Sequence, residues 1–171
     1  IIKSKISEVI YSVTDIDKRV SNKSFKILNS KKIIVKKGLL KNKIESFYYP
    51  YFFNRKKKLP YVTGKIAISK NHIIYTKYQK KITNIYSDMF SHLLRYQNDG
   101  LMITYKTLNK DNPRLNCRLK GLKNFSPKRI ILDNNLKTKT NSYIIKSSNN
   151  KNTLIFYNKA DKSKISKFKR K

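Results

Sequence analysis

Apolar residues along this chain come in short runs divided by polar, lysine-rich breaks, and the period of the runs alternates between that of a strand and that of a helix. The segment "SEVIYSV" (7–13) is a β-branched strand run, "DIDKRV" interrupts it, and "SNKSFKILNS" sets Phe25 and Leu28 three apart, as a helical face does. "IIVKKG" reads as a second short strand. "LLKNKIESFYYPYFF" (39–53) reads as an amphipathic helix that Pro50 should stop, because proline lacks the N–H that a helix interior needs. Phe47, Tyr51 and Phe52 fall at helical spacings there, which favours a packed hinge over a base-stacking platform.

"NRKKKLP" (54–60) then forms a charged joint, read as a solvated linker between two units. Beyond it "YVTGKIAIS" is strand-like, and a polar stretch leads to "YSDMFSHLLRYQN". In that helix Tyr86, Met89, Phe90, Leu93 and Leu94 share one face, and Thr83 or Asn84 can cap it. "GLMITY" follows as a buried strand, and "RIILD", "SYII" and "TLIFY" supply three further strand candidates. Strands alternating with helices predict an α/β fold with a mostly parallel sheet and flanking helices. Ligands of such sheets sit outside the C-terminal strand ends.

Charge alters this picture less than its size implies. The net charge is +32, and counterion release from phosphate backbones would make such a chain attractive to nucleic acid. Yet 34 of the 41 basic residues are lysine, Ile (22) and Asn (18) are inflated, and Ala (2) and Gly (4) are scarce. Lys, Ile and Asn share A/T-rich codons, so an AT-biased genome produces this composition on almost any protein. The lysines are also dispersed, apart from "NRKKK" and the tail "KSKISKFKRK". Cys117 is alone, which excludes an internal disulfide or a cysteine-cluster zinc site and suits a reducing cytoplasm; it is expected to be a packed small side chain. No apolar stretch approaches the ~20 residues of a membrane span. The chain opens at Ile1 inside apparent secondary structure and stops in a lysine run, so a fragment is expected.

The stretch that combines charge with turn chemistry is "TYKTLNKDNPRLNCRL" (104–119). Thr107 and Asp111 are four apart and share a face if a helical turn intervenes. Pro113 should restrict Asn112 to an extended conformation and so aim Asp111. Arg118 offers a planar fork suited to phosphate, and Arg95 at the end of the preceding helix offers another.

Three segments in order, "LPYVTGKIAIS", "ITNIYSDMFSHLLRYQNDGLMITYKTLNKDNPRLNCRL" and "PKRIILDN", resemble the reductase domain of bacterial bifunctional riboflavin-biosynthesis deaminase-reductases. That family's pattern has Pro-Tyr-Val with a following Lys, a helix ending in Leu-Arg, and Thr-x-x-x-Asp-(Asp/Asn)-Pro-x-Leu-x-x-Arg. Upstream, "DIDKRVSNKSFKIL" and "IIVKKGLLKNKIESFYYPYFFN" resemble the tail of its deaminase domain. The resemblance implies a dihydrofolate-reductase-like reductase domain in residues 60–171, preceded by the C-terminal part of a cytidine-deaminase-like domain with its hinge helix in 1–53 and a linker in 54–59.

Several roles are implied with it. Thr107 and Asp111 would meet NADPH, as would Ile68 through its backbone and Asn134 after the next strand. Arg95, Leu115 and Arg118 would hold the substrate, a small phosphoribosyl pyrimidine. Lys65 and Asp111 would assist sugar-ring opening as general acid-base groups in the reduction of ribosyl to ribityl. Zinc would belong only to the missing deaminase part, and the fragment alone is expected to be inactive. A cytoplasmic homo-oligomer is expected, with no membrane and no specific nucleic-acid partner; the alternative is a basic RNA-associated or ribosomal protein. Where the family has Ser-Leu-Asp-Gly, this chain has Ser69, Lys70, Asn71 and His72, and the family's Ser-x-Trp falls near Gln79, Lys80 and Lys81. The family's zinc signature and its later Gly-rich cofactor loop have no counterpart here.

Overall fold

The strand and helix runs assemble into two separate parallel sheets. The computed structural model describes residues 1–74 and 82–169, and the chain divides into two units, Ile1–Ile66 and Ala67–Lys171. In the first unit β1 (Glu8–Tyr11) and β2 (Ile34–Lys37) pair in parallel, with Val9 opposite Val35, and α1 (Lys23–Ser30) is the crossover between them. Leu28 of α1 and Ile33 before β2 are buried, so the β-branched run and the helical face predicted from spacing close on each other.

The run after β2 departs from its expected form. It makes two helices, α2 (Lys41–Phe47) and α3 (Tyr49–Lys57), which meet at Tyr48. Pro50 begins α3 instead of stopping a helix, because a first-turn residue has no N–H bond to lose and its fixed φ suits the helix. α3 consequently runs through "NRKK", which the sequence reads as linker. Phe47 is 75% exposed, whereas Phe53 and Tyr49 meet Tyr61 edge-on at 5.7 and 5.6 Å. "YVTGKIAIS" carries no strand: its apolar residues stand in solvent, Val62 at 78%, and no ladder partner lies beside them among the described residues.

The second unit opens with α4 (Ile85–Gln97). Asn84 caps it as expected, its side chain accepting from Ser87 N at 2.9 Å. The predicted apolar face of α4 is only partly covered: Leu93 and Leu94 are half-buried, while Met89, Phe90 and Tyr86, the last 76% exposed, face solvent. β3 (Gly100–Thr104), β4 (Lys128–Leu132) and β5 (Thr153–Phe156) form a parallel sheet in that order, and Thr104, Leu132 and Phe156 stand in one row at its C-terminal edge.

Two helices cover one face of this sheet, α5 (Tyr105–Asp111) and the four-residue α6 (Tyr143–Lys146). "SYII" is thus helix and not strand: Ile144 and Ile145 are both buried, and a four-residue apolar run carries no period to tell the two apart. Leu108, Leu115, Ile131 and Ile144 form the core, against which Leu101, Ile103 and Ile155 pack. Each of those fully buried aliphatic side chains contributes about 2 kcal/mol. At the N-terminal edge buried Arg129 of β4 donates to Ser147 Oγ, Ser147 O and Asn152 Oδ1 at 2.7, 2.9 and 2.8 Å, and burial lowers its pKa. Those bonds tie β4 to the turn ahead of β5. A last helix, α7 (Lys162–Lys169), ends the described chain. Among the described residues no helix is long and apolar enough to cross a membrane.

Candidate active site

A cleft of about 470 Å³ lies at the C-terminal edge of β3, β4 and β5. Its lining comes in three pieces, one after each strand: Thr104 to Lys106, Leu132 to Asn134, and Phe156 to Asn158. The middle piece is shaped by Asp133. Only 1% exposed, its carboxylate accepts from Lys137 N at 2.9 Å and from Thr138 N and Oγ1 at 2.7 Å each, which folds the chain after β4 into a tight loop. Asn134 O accepts from Asn158 N and Lys159 N at 3.1 and 2.9 Å, so the segments after β4 and β5 are joined at the mouth. The rings of Tyr105, Phe156 and Tyr157 and the amine of Lys106 give the cleft both apolar and cationic character.

α5 carries the motif residues beside this cleft. Thr104 caps it, Oγ1 accepting from Thr107 N at 3.5 Å, and the helical turn between Thr107 and Asp111 puts them on one face as the spacing predicts. Both are exposed. The conformation of Asn112 differs from expectation: it is left-handed, with φ 42° and ψ 52°, not extended. It terminates α5, a position that asparagine tolerates well, and its Oδ1 accepts from Tyr143 N at 2.8 Å, which outweighs the preference set by Pro113. Asn109 likewise bridges to the loop, donating to Lys137 O and accepting from Lys139 N, both at 2.9 Å. Leu115 has its side chain in the core, so only its backbone can face a ligand.

The two arginines singled out in the sequence come together. Arg95 donates to Asn116 O at 3.0 Å, and Arg118 Nη1 donates to Asn116 Oδ1 at 3.3 Å. Between them sits His92, whose Nδ1 accepts from Arg118 N at 3.2 Å and lies 3.4 Å from Arg95 Nη1. That acceptor role puts the ring proton on Nε2. Burial, and then the charges of Arg95 and Arg118, lower the His92 pKa; burial and then Arg118 lower that of Arg95. Guanidinium groups nevertheless stay charged. No carboxylate among the described residues forms an ion pair with either arginine, so the cluster is a concentrated positive site. His92 reads from the sequence as a helix-face residue; its i, i+3 relation to Arg95 was the available signal. Buried Cys117 donates to His92 O at 3.6 Å and has the packed role expected of it.

Other expected residues are not among those that line the cleft. Of the four named for the cofactor, Asn134 alone lines the cleft. Ile68 is exposed in irregular backbone of the second unit, and Lys65, also exposed, falls in the first. The altered turn folds tightly: Ser69 Oγ donates to Asn71 Oδ1 at 2.6 Å and accepts from Ile73 N at 2.9 Å. His72 there has φ 61°, the left-handed conformation that a glycine adopts freely and a histidine at a cost of about 1 kcal/mol. Gln79, Lys80 and Lys81 lie outside the described residues. No group of three or more metal-ligating side chains occurs among the described residues.

The parallel sheet thus carries a ring-lined cleft with one lysine at its C-terminal edge, the edge outside which open α/β sheets hold their ligands. Residues 60–170 match the RibD C-terminal domain, and the chain belongs to that family. It is 32% identical over 138 residues to the riboflavin biosynthesis protein RibD of Bacillus amyloliquefaciens, covering 80% of this chain and 37% of that one. With RibD of Actinobacillus pleuropneumoniae it shares 27% identity over 171 residues, 99% of this chain and 45% of that one. The crystal structure of a diaminohydroxyphosphoribosylaminopyrimidine deaminase/5-amino-6-(5-phosphoribosylamino)uracil reductase from Thermotoga maritima superposes with a TM-score of 0.77 at 25% identity, over 92% of this chain and 44% of that one. Acinetobacter baumannii RibD, at 19% identity and a TM-score of 0.78, has the same fold over 98% of this chain and 48% of its own. The chain thus spans less than half the length of these relatives, and the fold class expected from its sequence is the one it has.

Proposed function

We propose that this chain provides the reductase part of a riboflavin-biosynthesis deaminase-reductase, acting on 5-amino-6-(5-phosphoribosylamino)uracil in the cytoplasm as a homo-oligomer. In this reading residues 60–171 are reductase, 54–59 a joint and 1–53 the tail of the deaminase part. Zinc belongs only to a deaminase part outside this sequence. The observation that carries the reading is the cleft at the C-terminal strand edge, which lies within the residues that match the family. A basic RNA-associated role has no support from the relatives.

The cleft's rings and the Lys106 amine suit a nicotinamide nucleotide, and its volume is in the range of ligand pockets. NADPH, when bound, supplies the hydride that reduces the opened sugar's carbonyl carbon. The chain's own residues do the rest. Asn134 holds the cofactor's polar edge, Thr107 and Asp111 orient it from α5, and Ile68 meets it through its backbone. Arg95 and Arg118 grip the phosphate or pyrimidine oxygens, with neutral His92 setting the backbone of Arg118, and Leu115 contributes its backbone. Asp111 and Lys65 move the protons that open the sugar ring and neutralise the developing alkoxide. The isolated chain is expected to turn over no substrate, since it lacks the family's later Gly-rich loop, whose backbone N–H groups would hold the cofactor's pyrophosphate.

A chimera tests this: residues 60–170 replace their counterpart in the Bacillus amyloliquefaciens relative, and NADPH oxidation is followed with the phosphoribosylaminouracil. Substrate-dependent oxidation is expected. Asp111→Asn should lower kcat by roughly 100-fold without moving the melting temperature, and Arg118→Lys should chiefly raise KM. A chimera that melts cooperatively yet oxidises no NADPH would sink the reading.

A further inference from the structure

Arg95 and Arg118 are like charges held close together, and after burial the charge of Arg118 is what most lowers the Arg95 pKa. A carboxylate would settle such a pair, since charge-assisted bonds are shorter and about twice as strong as neutral ones. This chain uses neutral acceptors instead. Arg95 Nη1 donates to Asn116 O at 3.0 Å and Arg118 Nη1 to Asn116 Oδ1 at 3.3 Å, while no carboxylate among the described residues forms an ion pair with either arginine. Asp88, the acid that does act on Arg95, is the weakest of the influences on it and accepts from Thr83 Oγ1 at 2.9 Å.

The third acceptor is His92. Its Nδ1 lies 3.2 Å from Arg118 N and 3.4 Å from Arg95 Nη1, and both of those groups are donors only. The lone pair is therefore on Nδ1 and the proton on Nε2. The i, i+3 spacing on α4 sets this ring beside Arg95. Buried Cys117 completes the frame, its thiol donating to His92 O at 3.6 Å and its N–H to Ser126 Oγ at 3.0 Å. Asn116, Cys117 and Arg118 are each bonded in this way to His92 or Arg95, so the segment is stitched to one turn of α4.

We propose that His92 and Asn116 are positioning residues of the substrate site, neutral acceptors that fix both guanidinium groups while leaving their charge uncancelled for the anionic end of the substrate. A carboxylate in the place of Asn116 would hold Arg118 harder and serve the ligand worse, because a fixed negative charge beside the fork repels the incoming anion. A side chain with no acceptor in the place of His92 Nδ1 would free the Arg118 backbone and lose the geometry that two forks on one anion need. The inference rests on the reductase reading for its ligand and goes beyond it in naming the supporting residues and the charge they must lack.

Ribose 5-phosphate, the charged end of the proposed substrate, is titrated calorimetrically into the chain at pH 7.5 in about 150 mM salt, with melting curves alongside. Asn116→Asp should weaken binding about tenfold while the melting temperature holds or rises, because Arg118 then gains a charge-assisted bond. A merely structural role would move affinity and stability the same way. His92→Asn, whose Oδ1 takes the place of Nδ1, should bind within about twofold of the parent, whereas His92→Gln, with its amide one carbon farther out, should bind about fivefold more weakly. Unchanged affinity in Asn116→Asp would put the ligand on the general lysine charge and overturn the proposal. Equal losses in His92→Asn and His92→Gln would overturn it too, as would no measurable binding by the chain. Binding abolished by Arg118→Gln yet untouched by Asn116→Asp would end the positioning roles and leave the reductase reading standing, which NADPH oxidation by the chimera decides separately.

Discussion

His92 shows how one side chain can be read twice. On α4 it is one of many polar positions, yet its ring accepts from the Arg118 backbone N–H and lies 3.4 Å from the Arg95 guanidinium, with Asp88 the weaker opposing charge. Burial first, and Arg95 and Arg118 next, hold its pKa below the ordinary 6.5. The unfolded chain therefore binds a proton more readily than the folded one as pH falls below about 6.5, and stability rises with pH across that window. The contribution is complete above the unfolded pKa and is lost on acidification toward the folded one. Thermal melts between pH 7.5 and 5 should show a decline that His92→Asn removes, since its amide oxygen can still accept from Arg118 N and cannot be protonated there. A slope unchanged by His92→Asn would mean that the imidazole is not the titrating group. The neutral ring adds no charge of its own, and Arg95 and Arg118 stay positive across the physiological range.

At the scale of elements, the loop after β4 shows how little chain is needed to shape a cleft. Asp133→Asn puts an amide NH₂ against either Lys137 N–H or Thr138 N–H, so one buried donor loses its acceptor. That should cost about 2 kcal/mol and raise the NADPH dissociation constant of the chimera, because Asn134 follows directly. Denaturant melts with a cofactor titration measure both; an Asn variant as stable as the parent would show that the loop is held by Asn109 and the backbone alone. Most elements were legible. The β-branched runs at 8–11 and 34–37, the run at 100–104 and the Asn84-capped α4 all form where hydrophobic period and capping chemistry agree. Three were not, each for a physical reason. Proline starts a helix as readily as it stops one, "SYII" is too short to have a period, and "YVTGKIAIS" needs a neighbouring strand that no local pattern reveals. The candidate site divides similarly. Thr107, Asp111, Arg95 and Arg118 are visible as a motif, whereas Phe156, Tyr157 and Asn158 join the cleft only because β5 lies next to β4, a fact of strand order.

Across the whole molecule, 41 basic residues stand against 9 acidic ones, and this imbalance acts on stability even where it says little about partners. The acids are heavily used. Asp17 serves both Arg19 and Arg55, its carboxyl held well below the usual range by hydrogen bonds from Arg19, and Glu8, Glu45 and Asp161 pair with Lys36, Lys41 and Lys164. With 41 basic residues against 9 acidic ones, most cations must lack an acidic partner, and folding brings cations closer together. Self-repulsion of this kind opposes the compact state. Exposed ion pairs contribute at most about 1 kcal/mol each, so screening them away loses less than screening the repulsion gains. The Debye length falls from about 30 Å at 0.01 M to about 8 Å at 0.15 M salt, shorter than the span of either unit. Melting temperature should consequently rise by about 5 °C between 10 and 150 mM sodium chloride and level off above that, with chloride and nitrate acting alike. Sulfate should act at lower concentration, as a divalent counterion screens more strongly. Differential scanning calorimetry at constant pH makes the measurement. A melting temperature that stays flat or falls over this range would mean that the few ion pairs, and not the surplus lysines, set the electrostatic balance of the fold.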